Sequence, residues 1–156
     1  MNDNGTPLTT AEVEAVARAA HAGQTDKAGR PYAEHLAAVA AGVRARGGDE
    51  AQIAAAWLHD AVEDGALSEE WLGRAALSDR TKAVVLALTR RAGEEQAAYA
   101  ARILATPGAR LVKEADLAHN ADPARIARLA DPATRARLTE KYARMRALLG
   151  VTDGPP

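Results

Sequence analysis

Cysteine and phenylalanine are absent from this chain of 156 residues, and aromatic residues make up only 3% of it. Without cysteine, the chain forms no disulfide, no thiolate metal site and no cysteine nucleophile. A core that is poor in aromatic side chains must be built from Ala, Leu and Val, which favours closely packed helices over a β-sheet. The expected fold class is therefore all-α.

Neither sign of charge dominates, because 20 Lys and Arg residues are offset by 21 Asp and Glu residues. The net charge of -1 provides no extended basic field for nucleic acid, so phosphate groups are expected to be bound only locally. No apolar run approaches the roughly 18 residues of a membrane span, and the polar start MNDNGT is not a signal peptide. We therefore expect a cytoplasmic protein that binds neither nucleic acid nor membrane.

The length suits one domain with a substantial core. Capping and stop signals predict seven or eight helices within residues 9–150, with flexible tails at residues 1–8 and 151–156. No strand pattern and no internal repeat is apparent, so the expected architecture is a compact helical bundle. The sequence leaves the oligomeric state open, a homo-oligomer included.

Four ionisable side chains interrupt the apolar stretch AAWLHDAVEDG, on a helix predicted to span residues 49–65. Their positions at i, i+1, i+4 and i+5 gather them on one side of that helix. They are His59, Asp60, Glu63 and Asp64. Burying unpaired charge costs on the order of several kcal/mol, so a divalent metal is the simplest partner expected there. The alternative is a solvated acidic helix face with a capping histidine.

Further metal ligands are expected from two other predicted helices. His35 lies early in a helix that Pro31 opens, and Asp116 lies on a helix that begins near Pro107. With the first two residues of the central cluster, they would form a shell of two histidines and two carboxylates around one cation. The hypothetical shell is His35, His59, Asp60 and Asp116. Glu63 and Asp64, one helical turn away, would then take a proton from the attacking water.

Three stretches, AHAGQTDKAGRPYAEH, AAWLHDAVED and LVKEADLAHN, resemble in order and separation the HD-domain metal-dependent phosphohydrolases. The resemblance covers roughly residues 12–122 and is strongest to the hydrolase domain of the RelA/SpoT family and its small single-domain members. It implies an HD fold with one divalent cation, Mn²⁺ first, with Fe, Co, Zn and Mg as alternatives. The family reaction removes pyrophosphate from the 3′ position of guanosine tetra- or pentaphosphate. Relatives remove phosphate from other nucleotides, including the 2′-phosphate of NADPH.

The resemblance also implies roles for individual residues. The cation would be bound by His35, His59, Asp60 and Asp116, as in the hypothetical shell. The Glu63 and Asp64 pair would handle the attacking water. Lys113 and Asn120 match positions near the nucleotide. Lys27, on the loop from Asp26 to Arg30, would hold phosphate oxygens together with Lys113. The alternative is that Lys27 is an ordinary exposed loop charge.

Four positions depart from the guanine-nucleotide pattern. Asp26 replaces an arginine that could stack on a purine and neutralise phosphate, whereas an aspartate repels anions. Leu117 stands in place of a basic residue, and Asp122 and Pro123 replace an Arg-Thr pair. Guanosine tetraphosphate is therefore only the leading substrate candidate. The alternative substrate is another nucleotide. Two alternative functions are a metal-containing module that senses a nucleotide without turnover and a scaffold whose acidic cluster is structural.

The remaining histidines are not expected to bind metal. His21 is expected to order the loop before the His35 helix through a hydrogen bond. His119 is about 60° round its helix from Asp116 and is expected to be exposed or to pack. One metal is therefore expected rather than two. A further set of basic residues is expected to form a solvated face: Arg90, Arg91, Arg135, Arg137, Arg144 and Arg146.

Overall fold

The computed structural model describes residues 6–151, and the fold of this part of the chain is all-α, as predicted. Nine helices are present within these residues, and two of them are short, with 6 and 5 residues, so the number exceeds the predicted seven or eight. In chain order they are α1 (Thr10–Ala20), α2 (Tyr32–Ala45), α3 (Glu50–Leu58), α4 (Glu69–Arg74), α5 (Asp79–Leu88), α6 (Gln96–Ala105), α7 (Ala109–Asn120), α8 (Pro123–Ala127) and α9 (Pro132–Leu149).

Helix α3 lies in the centre of the core. All residues from 52 to 58 are buried, and α1, α2, α5 and α7 pack around this helix. Alanines at positions 54–56 have short side chains, which lets the neighbouring helices approach closely. Helix α9 packs against α6, α7 and α8. The end of α3 is therefore enclosed by helices that come from distant parts of the sequence.

Two capping boxes fix the starts of α1 and α3. Thr9 Oγ1 accepts the N–H of Glu12 at 3.1 Å, and Glu12 Oε1 accepts the N–H of Thr9 at 2.9 Å. Asp49 and Gln52 exchange the same pair of bonds before α3. Gln52 Nε2 also donates to the carbonyl of Gly108, the N-cap of α7, at 3.1 Å. The start of α3 is thereby tied to the start of α7.

Helix α3 is shorter than the predicted motif helix, because it ends at Leu58 rather than at Gly65. His59 Nδ1 donates to the carbonyl of Ala56 at 2.6 Å, and the N–H of Ala61 bonds the carbonyl of Leu58 at 3.0 Å. The imidazole thus competes for a carbonyl that a continuing helix would use. Residues 60–65 form turns, and the prediction of a helix through this segment was wrong.

Helix α7 begins two residues after the predicted start at Pro107. Gly108 has a φ of 88°, which lies outside the helical region, so regular helix begins only at Ala109. The last helix follows its prediction more closely. Asp131 caps it through its side chain, and Gly150 ends it with a φ of 70°.

The predicted tails, residues 1–8 and 151–156, lie largely outside the described residues. Leu8 is described: its N–H donates to the carbonyl of Ala76 at 2.8 Å, and its side chain packs against the core. None of the helices within residues 6–151 combines the length and apolar character that a membrane span requires.

Candidate metal centre and substrate cavity

Three helices bring the four predicted metal ligands together. His35 comes from α2, His59 and Asp60 follow directly at the end of α3, and Asp116 comes from α7. Each offers one ligand atom, and these atoms all lie within 4.8 Å of one another. His35, His59 and Asp116 are buried, whereas 18% of the Asp60 side chain is exposed. The cluster is therefore held by the core and open on the side of Asp60.

Asp116 Oδ1 lies between the two imidazoles of the cluster. It is 3.0 Å from His35 Nε2 and 3.2 Å from His59 Nε2. Asp60 Oδ2 lies 3.1 Å from His59 Nε2 and 3.8 Å from His35 Nε2. Both histidines therefore direct Nε2 at the two carboxylates.

The other ring nitrogen of each histidine is held by a second hydrogen bond. His59 Nδ1 carries a proton because it donates to the carbonyl of Ala56. His35 Nδ1 lies 2.7 Å from His119 Nδ1, and the two rings stack with centroids 5.0 Å apart. Metal-binding histidines have this arrangement, in which one nitrogen is fixed and the other is free to ligate. Two imidazole nitrogens and two carboxylate oxygens fit a divalent cation such as Mn²⁺, Fe²⁺ or Zn²⁺.

The electrostatics of the cluster favour a positive charge. Burial disfavours the imidazolium form of His59, but Asp60 and Asp116 raise its pKa well above the usual 6.5. Burial alone would raise the pKa of Asp116, yet Lys113 and the two imidazoles hold it well below the usual 3.8. Buried carboxylates that stay ionised need compensating cations. A divalent metal ion meets this requirement.

Two contacts to the cluster were missed in the sequence. The hydroxyl of Tyr32 donates to Asp60 Oδ2, and burial together with Asp60 raises the pKa of this tyrosine. His119 is half-buried against His35, and burial, His35 and Arg125 lower its pKa to about 4. Neutral His119 can accept the proton that His35 donates. Tyr32 precedes His35 by three residues on α2, and that spacing could have identified it.

Glu63 and Asp64 lie on the turns after α3 and line a cavity of about 360 Å³ next to the cluster. Glu63 Oε1 accepts the backbone N–H of Arg90 at 2.7 Å, and partial burial raises the pKa of the Glu63 carboxyl above 4.5. Asp64 Oδ2 accepts from Gln24 Nε2 at 3.0 Å. Gln24 in turn lies 2.7 Å from His21 Nδ1, so this buried histidine orders the loop and does not join the metal cluster.

The wall of the cavity has a charged part and an apolar part. The apolar part comes from α7, α8, α9 and the residues between them, and it consists of Leu117, Ile126, Leu129, Leu138, Tyr142 and Met145. The charged part contains side chains of both signs: Lys27, Arg90, Lys113, Arg125 and Lys141, with Asp26, Asp60, Glu63, Asp64 and Asp116. A cavity with this division suits a ligand that has both charged and apolar groups.

The three predicted nucleotide-binding residues all line this cavity. Lys113 Nζ lies 2.8 Å from Asp116 Oδ2, and although burial disfavours its charge, Asp116 raises its pKa. Asn120 Nδ2 donates to Asp116 Oδ1 at 3.2 Å. Lys113 and Asn120 therefore brace the buried carboxylate of the cluster, while Lys27 lies on the loop wall.

The residues that depart from the guanine-nucleotide pattern have structural partners. Asp26 accepts two backbone N–H groups of its own loop, and its Oδ2 lies 3.4 Å from Arg125. Its charge is thus compensated, which reduces the predicted repulsion of anions. Asp122 caps α8, and Pro123 is the first residue of that helix. Leu117 is buried and lines the cavity.

Three cations of the cavity wall were not predicted to lie there: Arg90, Arg125 and Lys141. Arg90 was assigned to a solvated face, but it is only partly exposed, and its guanidinium donates to the carbonyl of Glu94 at 3.1 Å. That assignment was wrong for Arg90, since this residue lines the cavity. Lys141 of α9 also lines the cavity. Its position on an arginine-rich helix gave no signal that distinguishes it from surface residues.

Comparison with known families agrees with this geometry. Residues 14–151 match the HD domain family. The chain belongs to this family. HD domains bind divalent metals, and this HD domain has a cluster of two histidines and two aspartates that could hold one. The predicted HD resemblance is confirmed.

A relative from Synechocystis sp. is named probable guanosine-3′,5′-bis(diphosphate) 3′-pyrophosphohydrolase. It is 46% identical to this HD domain over 70 residues, which make up 45% of this chain. The chain spans 9% of the length of that relative. The likeness to a RelA/SpoT-type hydrolase therefore rests on part of the HD domain.

Proposed function

We propose that this HD domain is a metal-dependent phosphohydrolase that acts on a nucleotide polyphosphate. The leading reaction is removal of the 3′-pyrophosphate from guanosine tetra- or pentaphosphate. The observation that carries the proposal is the convergence of four ligating side chains within 4.8 Å, beside a cavity that is lined by cations and carboxylates. The name of the Synechocystis relative supports this choice of substrate.

His35, His59, Asp60 and Asp116 would hold one cation, which we propose is Mn²⁺. When bound, it supplies Lewis acidity, which makes water a better nucleophile near neutral pH and draws charge from the phosphoryl group. The other two histidines of the described chain have different partners. His21 bonds Gln24, and His119 contacts His35, which supports one metal ion rather than two.

Glu63 is the proposed acceptor of the proton from the attacking water. Its carboxylate is held at the cavity wall by the N–H of Arg90, and its raised pKa brings it closer to the neutral range in which a general base is effective. Asp64 would orient the water or share the proton, since Gln24 fixes one of its oxygens. The two carboxylates are the catalytic residues of the proposal.

Lys27, Lys113 and Asn120 are the proposed substrate contacts. Lys27 belongs to the loop wall of the cavity and can pair with phosphate oxygens. Lys113 and Asn120 already contact Asp116, so each would position this ligand as well as face the substrate. Loss of either is therefore expected to affect both metal binding and KM.

A different nucleotide is the second candidate substrate, such as one that carries a 2′-phosphate or a single phosphate. The contacts of Asp26 and Leu117 favour this candidate. Asp26 contacts Arg125 and cannot stack on a purine, and Leu117 contributes an apolar surface to the cavity. Contacts specific for guanine are weakened by both.

The proposed partner is a small phosphorylated nucleotide. The absence of nucleic-acid binding and a cytoplasmic location stay predictions. The oligomeric state stays open.

A nucleotide panel tests the proposal. The protein and a Glu63→Gln/Asp64→Asn variant are incubated with guanosine tetraphosphate, NADPH and nucleoside monophosphates in the presence of Mn²⁺, and pyrophosphate and orthophosphate are measured. We expect pyrophosphate from guanosine tetraphosphate, reduced at least about 100-fold in the variant. Release of orthophosphate from another nucleotide would identify that nucleotide as the substrate in place of guanosine tetraphosphate.

Equal release by the two proteins would remove Glu63 and Asp64 from the mechanism. If neither pyrophosphate nor orthophosphate is released from any nucleotide of the panel, the result would contradict the hydrolase proposal and favour a sensing module.

A further inference from the structure

The cations of the cavity wall differ in whether they have a carboxylate partner. Lys113 pairs with Asp116 at 2.8 Å, and Arg125 pairs with Asp26 at 3.4 Å. Lys141 takes part in none of the ion pairs found within residues 6–151. Lys141 and Arg144 are both exposed residues of α9, but Lys141 lines the cavity and Arg144 does not.

The surroundings of Lys141 are mainly cationic. Partial burial lowers the pKa of Lys141, and Arg90, Lys113 and Lys27 lower it further. Glu63 is the carboxylate that acts in the opposite direction. One oxygen of Glu63 accepts the backbone N–H of Arg90 at 2.7 Å, and none of the ion pairs within residues 6–151 joins Glu63 to Lys141. Like charges repel, so an anionic group bound beside Lys27, Arg90 and Lys141 would lower their mutual repulsion.

Lys27, Arg90 and Lys141 come from three separate segments of the chain. Lys27 belongs to the loop after α1, Arg90 follows α5, and Lys141 lies in the middle of α9. The ion pairs within residues 6–151 include none that joins Lys27, Arg90 or Lys141 to an Asp or Glu. Helix α9 contributes no side chain to the metal cluster, so its contact with the cavity is separate from the cluster itself.

We propose that Lys141, with Arg90 of the same cavity wall, binds an anionic group of the substrate that is not cleaved, such as the 5′-diphosphate of a doubly phosphorylated nucleotide. This inference rests on the proposed function. The metal cluster and Lys141 would then recognise two separate phosphate groups of one substrate. The site would accordingly prefer nucleotides that carry both.

A substrate pair tests this preference. Guanosine 3′,5′-bis(diphosphate) is compared with guanosine 3′-diphosphate that has a free 5′-hydroxyl, and the ratio of the two kcat/KM values is measured. In Lys141→Met we expect the ratio to fall about tenfold, through a higher KM for the doubly phosphorylated substrate. Lys141→Arg keeps the charge and should retain most of the ratio. Arg144→Met, on the same helix but outside the cavity, is the matched control.

An unchanged ratio in Lys141→Met would overturn the inference. So would an equal fall in Arg144→Met, because the effect would then come from the general charge of α9.

Binding of guanosine 5′-diphosphate to the Mn²⁺-loaded protein provides a measurement that needs no turnover. We expect Lys141→Met to raise the dissociation constant about tenfold in calorimetry, with Lys141→Arg close to the wild type. If no nucleotide is hydrolysed but this binding depends on Lys141, the anion site stands and the hydrolase proposal fails. If pyrophosphate is released but the binding does not depend on Lys141, or the probe does not bind, the hydrolase proposal stands and this inference fails.

Discussion

His119 is the residue that most directly supports a predicted metal ligand. Its Nδ1 lies 2.7 Å from Nδ1 of His35 and 3.2 Å from a guanidinium nitrogen of Arg125. With its pKa lowered to about 4, it is neutral at physiological pH and can accept the proton of His35. This contact keeps Nε2 of His35 directed at the cluster.

We expect His119→Ala to weaken Mn²⁺ binding by about 10- to 100-fold, because partners of ligating histidines have effects of this size. A metal titration followed by calorimetry measures the change. His119→Asn offers an oxygen acceptor in a similar place and should restore part of the affinity. An unchanged affinity in His119→Ala would show that the hydrogen bond does not orient His35.

The pKa of Glu63 predicts the acid limb of the pH-rate profile. Glu63 must be ionised to accept a proton, so activity is lost as pH falls through its pKa. Partial burial raises this pKa above the ordinary 4.5, so the limb should also lie above 4.5. We expect this limb in kcat/KM measured with saturating Mn²⁺, and we expect it to disappear from the residual activity of Glu63→Gln. If the acid limb persists in Glu63→Gln, a group other than Glu63 causes it.

The site residues found from the sequence differ from those that were missed in how far apart in the chain their contacts are. His59, Asp60, Glu63 and Asp64 stand together in the sequence, and His35 and Asp116 were found through motifs. The contact of His119 with His35 spans 84 positions, and neither periodicity nor spacing encodes it. Arg90 and Lys141 face the cavity only because α5, α6 and α9 pack in a particular order, which the sequence does not reveal.

Helix starts were more predictable than helix ends. The capping boxes before α1 and α3 depend on residues three apart, and both are present. The end of α3 depends on a side chain, since His59 takes the carbonyl of Ala56. Apolar periodicity continues past this point through Ala61 and Val62, and for that reason the predicted helix was too long.

The turn between α2 and α3 fixes how these two helices meet. A Cβ on Gly48 would lie 2.9 Å from the carbonyl oxygen of Val43 and 3.3 Å from the side chain of Leu111. The N–H of Gly48 also donates to this carbonyl at 2.9 Å. The two helices therefore need glycine at this position.

We expect Gly48→Ala to lower the free energy of unfolding by about 1–3 kcal/mol, as overpacking against backbone does. Denaturant titration measures it. Gly73→Ala is the matched control, since a Cβ there would meet nothing within 4 Å and alanine favours the helix α4. Equal stability of the two variants would show that the α2–α3 turn adjusts freely.

At the scale of the molecule, the core and the metal cluster share the same helices. Helices α2, α3 and α7 pack against one another, and the four predicted ligands come from α2, from α7 and from the two residues directly after α3. Two carboxylates placed where these helices meet repel each other unless a cation compensates them. The folded chain should therefore be more stable with metal than without it.

We expect chelation to lower the melting temperature and added Mn²⁺ to restore it in a concentration-dependent way, because a ligand that binds only the folded state stabilises it. Thermal unfolding of the wild type and of Asp116→Asn measures this. The variant should respond much less to either treatment. If chelator leaves the melting temperature of the wild type unchanged, metal binding does not stabilise the fold, which would contradict this prediction.

Metal content per chain is the most direct measurement of the central claim that His35, His59, Asp60 and Asp116 bind one cation. The wild type and His35→Ala are purified without chelator, and their metals are quantified by elemental mass spectrometry. We predict one ion of Mn, Fe, Zn or Co per chain in the wild type and little in the variant. A wild type without metal, or equal metal in the two proteins, would contradict the account.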